Sequence, residues 1–425
     1  MNMTYDIDTM QKKIYDYSRA IVGPVMYSYA EWVIDNAEKC GFSRLYFLAR
    51  DGYLLYEISK LICKKRALPI ECKYLYCSRQ SLRMPSYHLI GEEAFSLLLL
   101  SGYYITPKTI LKRACLSDEE ILSLCNELGI SDINKPFTDK ALEDFRIAIK
   151  GNDFYRKSIM RKSEAAYSTT IPYFKQEGLF DNDYVAIVDS GWTGSMQRSL
   201  RQLLESAGYS GKITGFYFGM FVDQKEEKDG QYLTFYFDAH SGTRRKIAFN
   251  NNLFECMLSA NHAMTIGYEE KNGKFLPIFT ASISDSQKLL IESQISGALH
   301  YTKEALSSST AQFDYKKARR RCYKILNRAM VYPTKEFATI YGAFTFCDDV
   351  TEDYHMSLAS PESRRQLGNY MLLPRIFRKL FKIKKSNASE LFWPYGAIAF
   401  CPALLRPWYR INVQGWELLK AILLK

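Results

Sequence analysis

The stretch Tyr184-Val185-Ala186-Ile187-Val188-Asp189-Ser190-Gly191-Trp192-Thr193-Gly194-Ser195-Met196-Gln197 constrains the fold of this chain most. Val185 to Val188 is a short apolar run, which predicts a buried strand that Asp189 closes. Gly191, Thr193, Gly194 and Ser195 predict a small-residue loop. From Met196 to Ser206, Leu200, Leu203 and Leu204 share one face, which predicts a helix. Strand, glycine-bearing loop and helix start make an anion site. Free backbone N–H groups and the helix dipole point into the loop, and glycine lets the backbone come close. Thr193 and Ser195 add hydroxyl donors. Asp189 suits sugar hydroxyls or one place around a magnesium ion. An ordinary strand-to-helix turn has the same local pattern, so the reading needs a second string.

That string lies upstream. Arg44 to Leu48 predicts a strand running into Ala49-Arg50-Asp51-Gly52, followed by a helix carrying Leu54, Leu55, Ile58 and Leu61. Tyr74 to Cys77 predicts a further strand, ending in Ser78-Arg79-Gln80-Ser81-Leu82-Arg83. Strands that each deliver polar residues at their carboxyl ends predict an α/β protein with a parallel sheet and its site along that edge. Residues 9–40 predict one or two helices, with a break or kink at Pro24. Asp6-Ile7-Asp8-Thr9 superficially matches the nucleophile string of haloacid-dehalogenase phosphatases, but no apolar strand precedes it, so it predicts a helix cap.

Residues 86–180 predict helix throughout, with Ser117 and Thr138 as caps, and read as a helical insertion over the sheet edge. Further strands are expected at 211–222 and 231–238, with a short edge strand at Phe275 to Phe279 and helix again over 283–345. The expected organisation is therefore 1–85, first part of the sheet domain; 86–180, helical insertion; 181–280, second part; 281–425, a helical C-terminal region ending in a basic aromatic tail.

Composition narrows the partners. The net charge of +11 favours an anionic one: phosphates, a membrane surface or nucleic acid. In the tail, Arg375 to Lys385 holds six Lys/Arg, with Ile376, Leu380 and Ile383 at helical spacing beside Phe377 and Phe381. Trp393, Tyr395, Trp408, Tyr409 and Trp416 follow, and the combination is an interfacial membrane signature. The competing account leaves the charges solvated and packs the aromatics as a cap on the core. No run reaches the ~18 apolar residues that span a bilayer, and Met1 to Asp8 is acidic without an apolar run, so no signal peptide is expected. The ten scattered cysteines, with no C-x-x-C, predict reduced thiols in a cytoplasmic protein.

Arg50-Asp51-Gly52 together with Asp189 to Ser195 resembles the two phosphate loops of type I phosphoribosyltransferases. The resemblance implies that the first loop holds the pyrophosphate of phosphoribosyl pyrophosphate (PRPP). Asp189 then meets the ribose hydroxyls and Thr193-Gly194 cradles the 5-phosphate. Arg79 or Arg83 suits a cationic contact to pyrophosphate. Val188 stands where the family has a second acid and Met196 where it ends the loop in Thr, which argues against nucleobase salvage. Over most of the chain, Phe47 to Leu54, Tyr76 to Leu82, Asp189 to Gln197 and Leu253 to Tyr268 resemble the glycan-directed phosphoribosyltransferases of bacterial surface-polysaccharide clusters. Those are often fused to a haloacid-dehalogenase-like phosphatase that is not recognisable in this sequence.

The resemblance implies transfer of 5-phosphoribose from magnesium-bound PRPP to a hydroxyl of a glycan acceptor, expected to be a lipid-linked one at the inner membrane face, with a separate phosphatase acting on the product. The substrate site it implies is Arg50, Gly52, Ser78, Arg79, Arg83, Ser190, Gly191, Trp192, Thr193, Gly194 and Ser195, with Asp189 toward the metal. Glu255 and His262 are seven apart and share a face if one helix carries both; either, or Asp51, would serve as the base. Asp238-Ala239-His240 and Asp348-Asp349 are expected to be plain turns. This enzyme reading involves no nucleic acid. Its rival is a non-catalytic PRPP- or nucleotide-binding regulator whose basic tail would bind nucleic acid.

Overall fold

The computed structural model describes residues 6–100, 105–224, 230–280, 283–308, 313–346, 356–381 and 391–423. Five strands form one parallel sheet: β1 (Arg44–Leu48), β2 (Glu71–Leu75), β3 (Tyr184–Trp192), β4 (Lys212–Met220) and β5 (Gln231–Phe237). Their order is β2-β1-β3-β4-β5. The chain leaves β1 in one direction to reach β2 and in the other to reach β3, so the sheet has a switch point between β1 and β3. Ligands of such sheets sit in the crevice outside the carboxyl ends at that point.

Period-two alternation distributes the strands between two cores. Leu45 and Phe47, Ala186 and Val188, and Phe216 and Phe218 enter one core with the helices Gly23–Lys39 and Gly52–Arg66. The C-terminal helices Tyr315–Met330 and Lys335–Gly342, and Trp393, belong to that same core. Tyr46 and Leu48, with Val185 and Ile187, face the other core under the helices Asp153–Gln176 and Ser195–Ser206. A third core, Met84 to Ile159, belongs to the helical insertion alone. Ser117 and Thr138 cap their helices as expected, Ser117 in a full capping box with Glu120.

Several expectations shift. β2 is Glu71–Leu75 rather than Tyr74–Cys77; Tyr76 and Cys77 lie between it and the short helix Arg79–Arg83 that Ser78 caps. Phe275 to Phe279 is no edge of the main sheet. It lies in β7 (Lys274–Phe279), antiparallel to β6 (Thr265–Lys271), a hairpin set by the Asn272-Gly273 turn. Pro24 does not break its helix. A π turn, Ser18–Val22, precedes it, and the Gly23 N–H donates to the Ser18 carbonyl, which accommodates the ring. Asp6 caps Ile7–Tyr17 by accepting from the Thr9 N–H. Asp348 and Asp349 lie outside the described residues.

Candidate active site

β3 outruns β1. Only Tyr46↔Ile187 and Phe47↔Val188 pair the two strands, whereas β3 stays paired with β4 as far as Trp192↔Met220. Asp189 therefore does not close the strand. The expected small-residue loop contracts to Thr193-Gly194, and the helix starts at Ser195 rather than Met196. The cause is the β3–β4 pairing itself: at Gly191, φ is +114° and an added Cβ would lie 2.3 Å from the Gly219 carbonyl oxygen. Gly194 turns the chain at φ +65°, where a Cβ would press on Tyr232 at 2.7 Å. Past Leu48 the β1 side of β3 is open, and the loop after β1 faces it.

That loop brings Asp51 to β3. The Ser190 hydroxyl donates to Asp51 Oδ2, joining the two carboxyl ends across the switch point. The Ala49–Arg50 peptide within the loop is cis. Two helices, Gly52–Arg66 and Ser195–Ser206, begin at this edge, and neither has a side chain capping its N-terminus. Their dipoles favour negative charge here.

Three carboxylates converge. Burial, then the Asp51 charge, push Asp189 up to about 7, against the pull of the Ser190 and Gly191 N–H groups. Burial and the same Asp51 charge push Glu255 up to about 8, while Arg79 and the Trp192 indole act the other way. Asp51 is also raised by burial, although the Ser190 hydroxyl, Arg50 and Arg79 favour its charged form. All three keep some solvent exposure in the crevice. Trp192 turns its ring into Phe221, Phe237, Phe249 and Phe254, and its Nε1 donates to Glu255 Oε1 at 2.6 Å. It positions Glu255 instead of offering a stacking face to solvent.

Facing the acids is a basic wall. Arg79 is exposed, and its guanidinium makes no hydrogen bond among the described residues. Arg83 is held below its usual range, by burial first and then by Arg79, Arg198 and Arg113. Ser78 sets this wall: it accepts from Gln80 and Ser81 N–H at 3.1 Å each and donates to the Thr265 carbonyl at 2.6 Å. Its hydroxyl is thus committed to positioning the Arg79–Arg83 helix. Thr193 is exposed beside Arg198, whose Nη1 donates to the Thr193 carbonyl at 2.9 Å.

Glu255 and His262 do not share a helix, because the helix Asn251–Cys256 stops before His262. His262 nevertheless comes to the same edge. Its Nδ1 lies 2.8 Å from the Ala263 carbonyl, which fixes the proton there. Nε2 then accepts from the Tyr74 hydroxyl at 2.7 Å. Burial, with Arg50 adding to it, holds the ring below its usual range against the pull of the Ala263 carbonyl. His262 packs with Tyr76 and Phe279 in an aromatic wall beside the crevice.

Tyr29, Tyr74, Arg198 and Phe279 were not among the expected site residues. Arg198 left a sequence signal: a cation near a helix N-terminus opposes the dipole and calls for a reason. Tyr29 left none. Buried in the core, its hydroxyl reaches the carbonyls of Asp189 and Phe216 at 2.9 and 2.7 Å. Asp238 forms the plain turn expected of it, accepting from the His240 and Ser241 N–H groups. Although three carboxylates share the crevice, among the described residues no three His, Cys, Asp or Glu side chains are placed to hold a metal by themselves. No protein-family model matches the sequence, and no curated protein matches it significantly.

Proposed function

We propose that this protein transfers 5-phosphoribose from PRPP to a hydroxyl of a glycan acceptor, releasing pyrophosphate, on a sheet of the type I phosphoribosyltransferase kind. One observation carries the reading: Asp51 and Asp189, from the two strings that suggested a phosphoribosyl site, meet across the switch point through Ser190, opposite Arg79. PRPP would lie along this edge, its phosphates toward the helix starts, Arg50, Arg79 and Arg83.

The acceptor oxygen attacks the anomeric carbon. The bond from that carbon to pyrophosphate oxygen breaks, and its electron pair leaves with pyrophosphate. Cations and backbone N–H groups stabilise that departing charge. Asp189 supports the positive charge that develops on the ribosyl ring. Glu255 accepts the acceptor's proton in its ionised form: burial lifts its carboxyl to about 8, so the fraction ionised at neutral pH is small but strongly basic. Asp189 would hold one place around a magnesium ion bound with PRPP, and such an ion would offset phosphate charge. Tyr76 and Phe279 offer an apolar wall to a sugar face.

The tail supports a membrane-linked acceptor. In the helix Leu372–Leu380 and just beyond it, Phe377, Leu380 and Phe381 are 55%, 72% and 58% exposed, so they are not packed into the core. Trp408, in the neighbouring helix Arg406–Leu423, and Leu404, just before it, are exposed too. Trp393 does not share this role. It is fully buried and donates to the Met330 carbonyl at 2.8 Å. Trp416 is covered by the Arg375 guanidinium, 4.0 Å from its ring centre. Ile383 and the lysines of 382–385 lie outside the described residues. No described helix is long and apolar enough to cross a bilayer. The proposed location is the cytoplasmic face of the inner membrane, with a separate phosphatase trimming the product.

The test is incubation with PRPP, magnesium and a lipid-linked glycan pool. Pyrophosphate released only with acceptor is the expected result. PRPP binding without release would instead identify a regulator.

A further inference from the structure

A second concentration of positive charge follows β5, around a cavity that none of the three crevice carboxylates lines. Between the turn at Gly242 and the helix Tyr315–Met330 is a cavity of about 550 Å³, lined by Arg244, Arg245, Lys316, Arg319, Arg320 and Lys324. That volume suits a small ligand or a headgroup.

The helix contributes Lys316, Arg319, Arg320, Tyr323 and Lys324, which recur at three- and four-residue spacing on one face. Like charges at that spacing repel and weaken a helix unless something compensates them. Among the described residues no carboxylate reaches any of the six cations in an ion pair. The acid that bears on Arg319, Asp238, is committed to the His240 and Ser241 N–H groups at 2.8 and 2.6 Å. Tyr323 does not neutralise charge either; it orients Arg244, whose Nε donates to its hydroxyl at 3.0 Å.

Two atoms point to a ligand. Arg245 Nε and Arg319 Nε are buried and have no hydrogen-bond partner. A buried donor without an acceptor is costly, and a charged one more so. Burial and the neighbouring Arg245 also push Arg319 below its usual range. Two guanidinium groups and flanking lysines around a small cavity match the oxygens of a phosphate group.

We propose that this cavity is a second anion site, which takes a phosphoryl or diphosphoryl group of a ligand other than the one at the sheet edge. The shared chemistry is phosphate; its source is a soluble phosphorylated molecule or a lipid headgroup. The site does not depend on the reaction proposed above.

The probe is inorganic pyrophosphate, titrated by calorimetry into the full chain in magnesium-free buffer. An Arg79→Gln background weakens binding at the sheet edge. In that background pyrophosphate should still bind, and Arg245→Gln with Arg319→Gln should weaken it at least tenfold. Lys324→Gln, at the rim, should cause a smaller loss. Thermal unfolding checks folding: the double variant should melt no lower than its parent, since it relieves repulsion, and should lose the pyrophosphate-induced rise in Tm. Flotation with phosphatidic acid vesicles separates the sources. Loss of flotation in the double variant assigns a lipid phosphate; unchanged flotation assigns a soluble one. The proposal is overturned if Arg79→Gln protein binds no pyrophosphate at millimolar concentration, if the double variant binds it equally well, or if only nucleic acid binds.

Discussion

Asp189 carries the sharpest test at the scale of single residues. Its carboxyl is lifted from 3.8 to about 7, so the native state holds a proton over a range where the unfolded chain has lost it. The folded protein's stability should therefore fall as pH rises from about 4 to about 7, and the penalty should persist above that. Asp189→Asn removes it. The variant should be more stable than the parent at pH 8, on the order of 1–3 kcal/mol, yet lose transfer about a hundredfold or more. Urea unfolding at pH 5 and pH 8, with a pyrophosphate assay, decides both; an unchanged turnover would remove Asp189 from the mechanism. Arg79→Ala should weaken PRPP binding by about 1.5–3 kcal/mol, the range for hydrogen bonds to charged groups. Calorimetry reads that loss, and parent-like binding would show that Arg79 does not meet PRPP. The string Asp189-x-Gly191-x-Thr193-Gly194 located this acid in sequence. Its shifted proton affinity needed Asp51 and Glu255, which come from distant parts of the chain.

The element that matters most is β3. Its apolar run was plain in sequence, but its length was not, because Ser190 and Gly191 are poor strand formers. The strand extends because β4 offers Gly219 and Met220 to pair with. Tyr29 secures that extension from below with its two carbonyl contacts. Tyr29→Phe should cost about 1–2 kcal/mol of stability, since buried carbonyls lose a donor. It should also lower transfer more than PRPP binding, because Asp189 sits on the strand it holds. Denaturant midpoints and steady-state kinetics are the measurements, and a variant equal to the parent in both would show that Tyr29 is only core. Gly194→Ala tests the turn: a Cβ at φ +65° against Tyr232 should destabilise the start of the Ser195 helix and weaken anion binding.

Across the whole molecule, the C-terminal region does two things at once. Trp393 and Tyr341 fill the core that also holds Phe47 and Phe216. Phe377, Leu380, Phe381 and Trp408 remain outside it. The exposed apolar side chains of the Leu372–Leu380 helix, with Arg378 and Lys379 between them in sequence, suit an anionic bilayer surface. The protein should float with anionic vesicles at low salt, release partly at high salt and ignore neutral vesicles. Phe377→Ser with Phe381→Ser should abolish flotation without lowering Tm, because neither ring supports the core. Flotation that survives the double substitution would mean the patch does not meet the membrane.

The chain's local order was written in local sequence. Apolar runs set β1, β3, β4 and β5; Ser117, Thr138 and Asp6 announced their helix starts; glycines marked the turns. Hydrophobic periodicity and capping act within a few residues, so these features survive being read one segment at a time. What meets what is a different matter. Ser190 on Asp51, Trp192 on Glu255, Tyr74 on His262 and Arg319 beside Arg245 each join residues far apart in the chain. So does the choice between Trp393, buried, and Phe377, exposed, which similar aromatic surroundings in sequence did not separate. Burial and pairing depend on every element packed around a group, and they set its proton affinity and its access to solvent. Tertiary packing therefore turned two phosphate-like strings into one crevice with three repelling carboxylates, and the parallel order of the five strands put that crevice at the switch point.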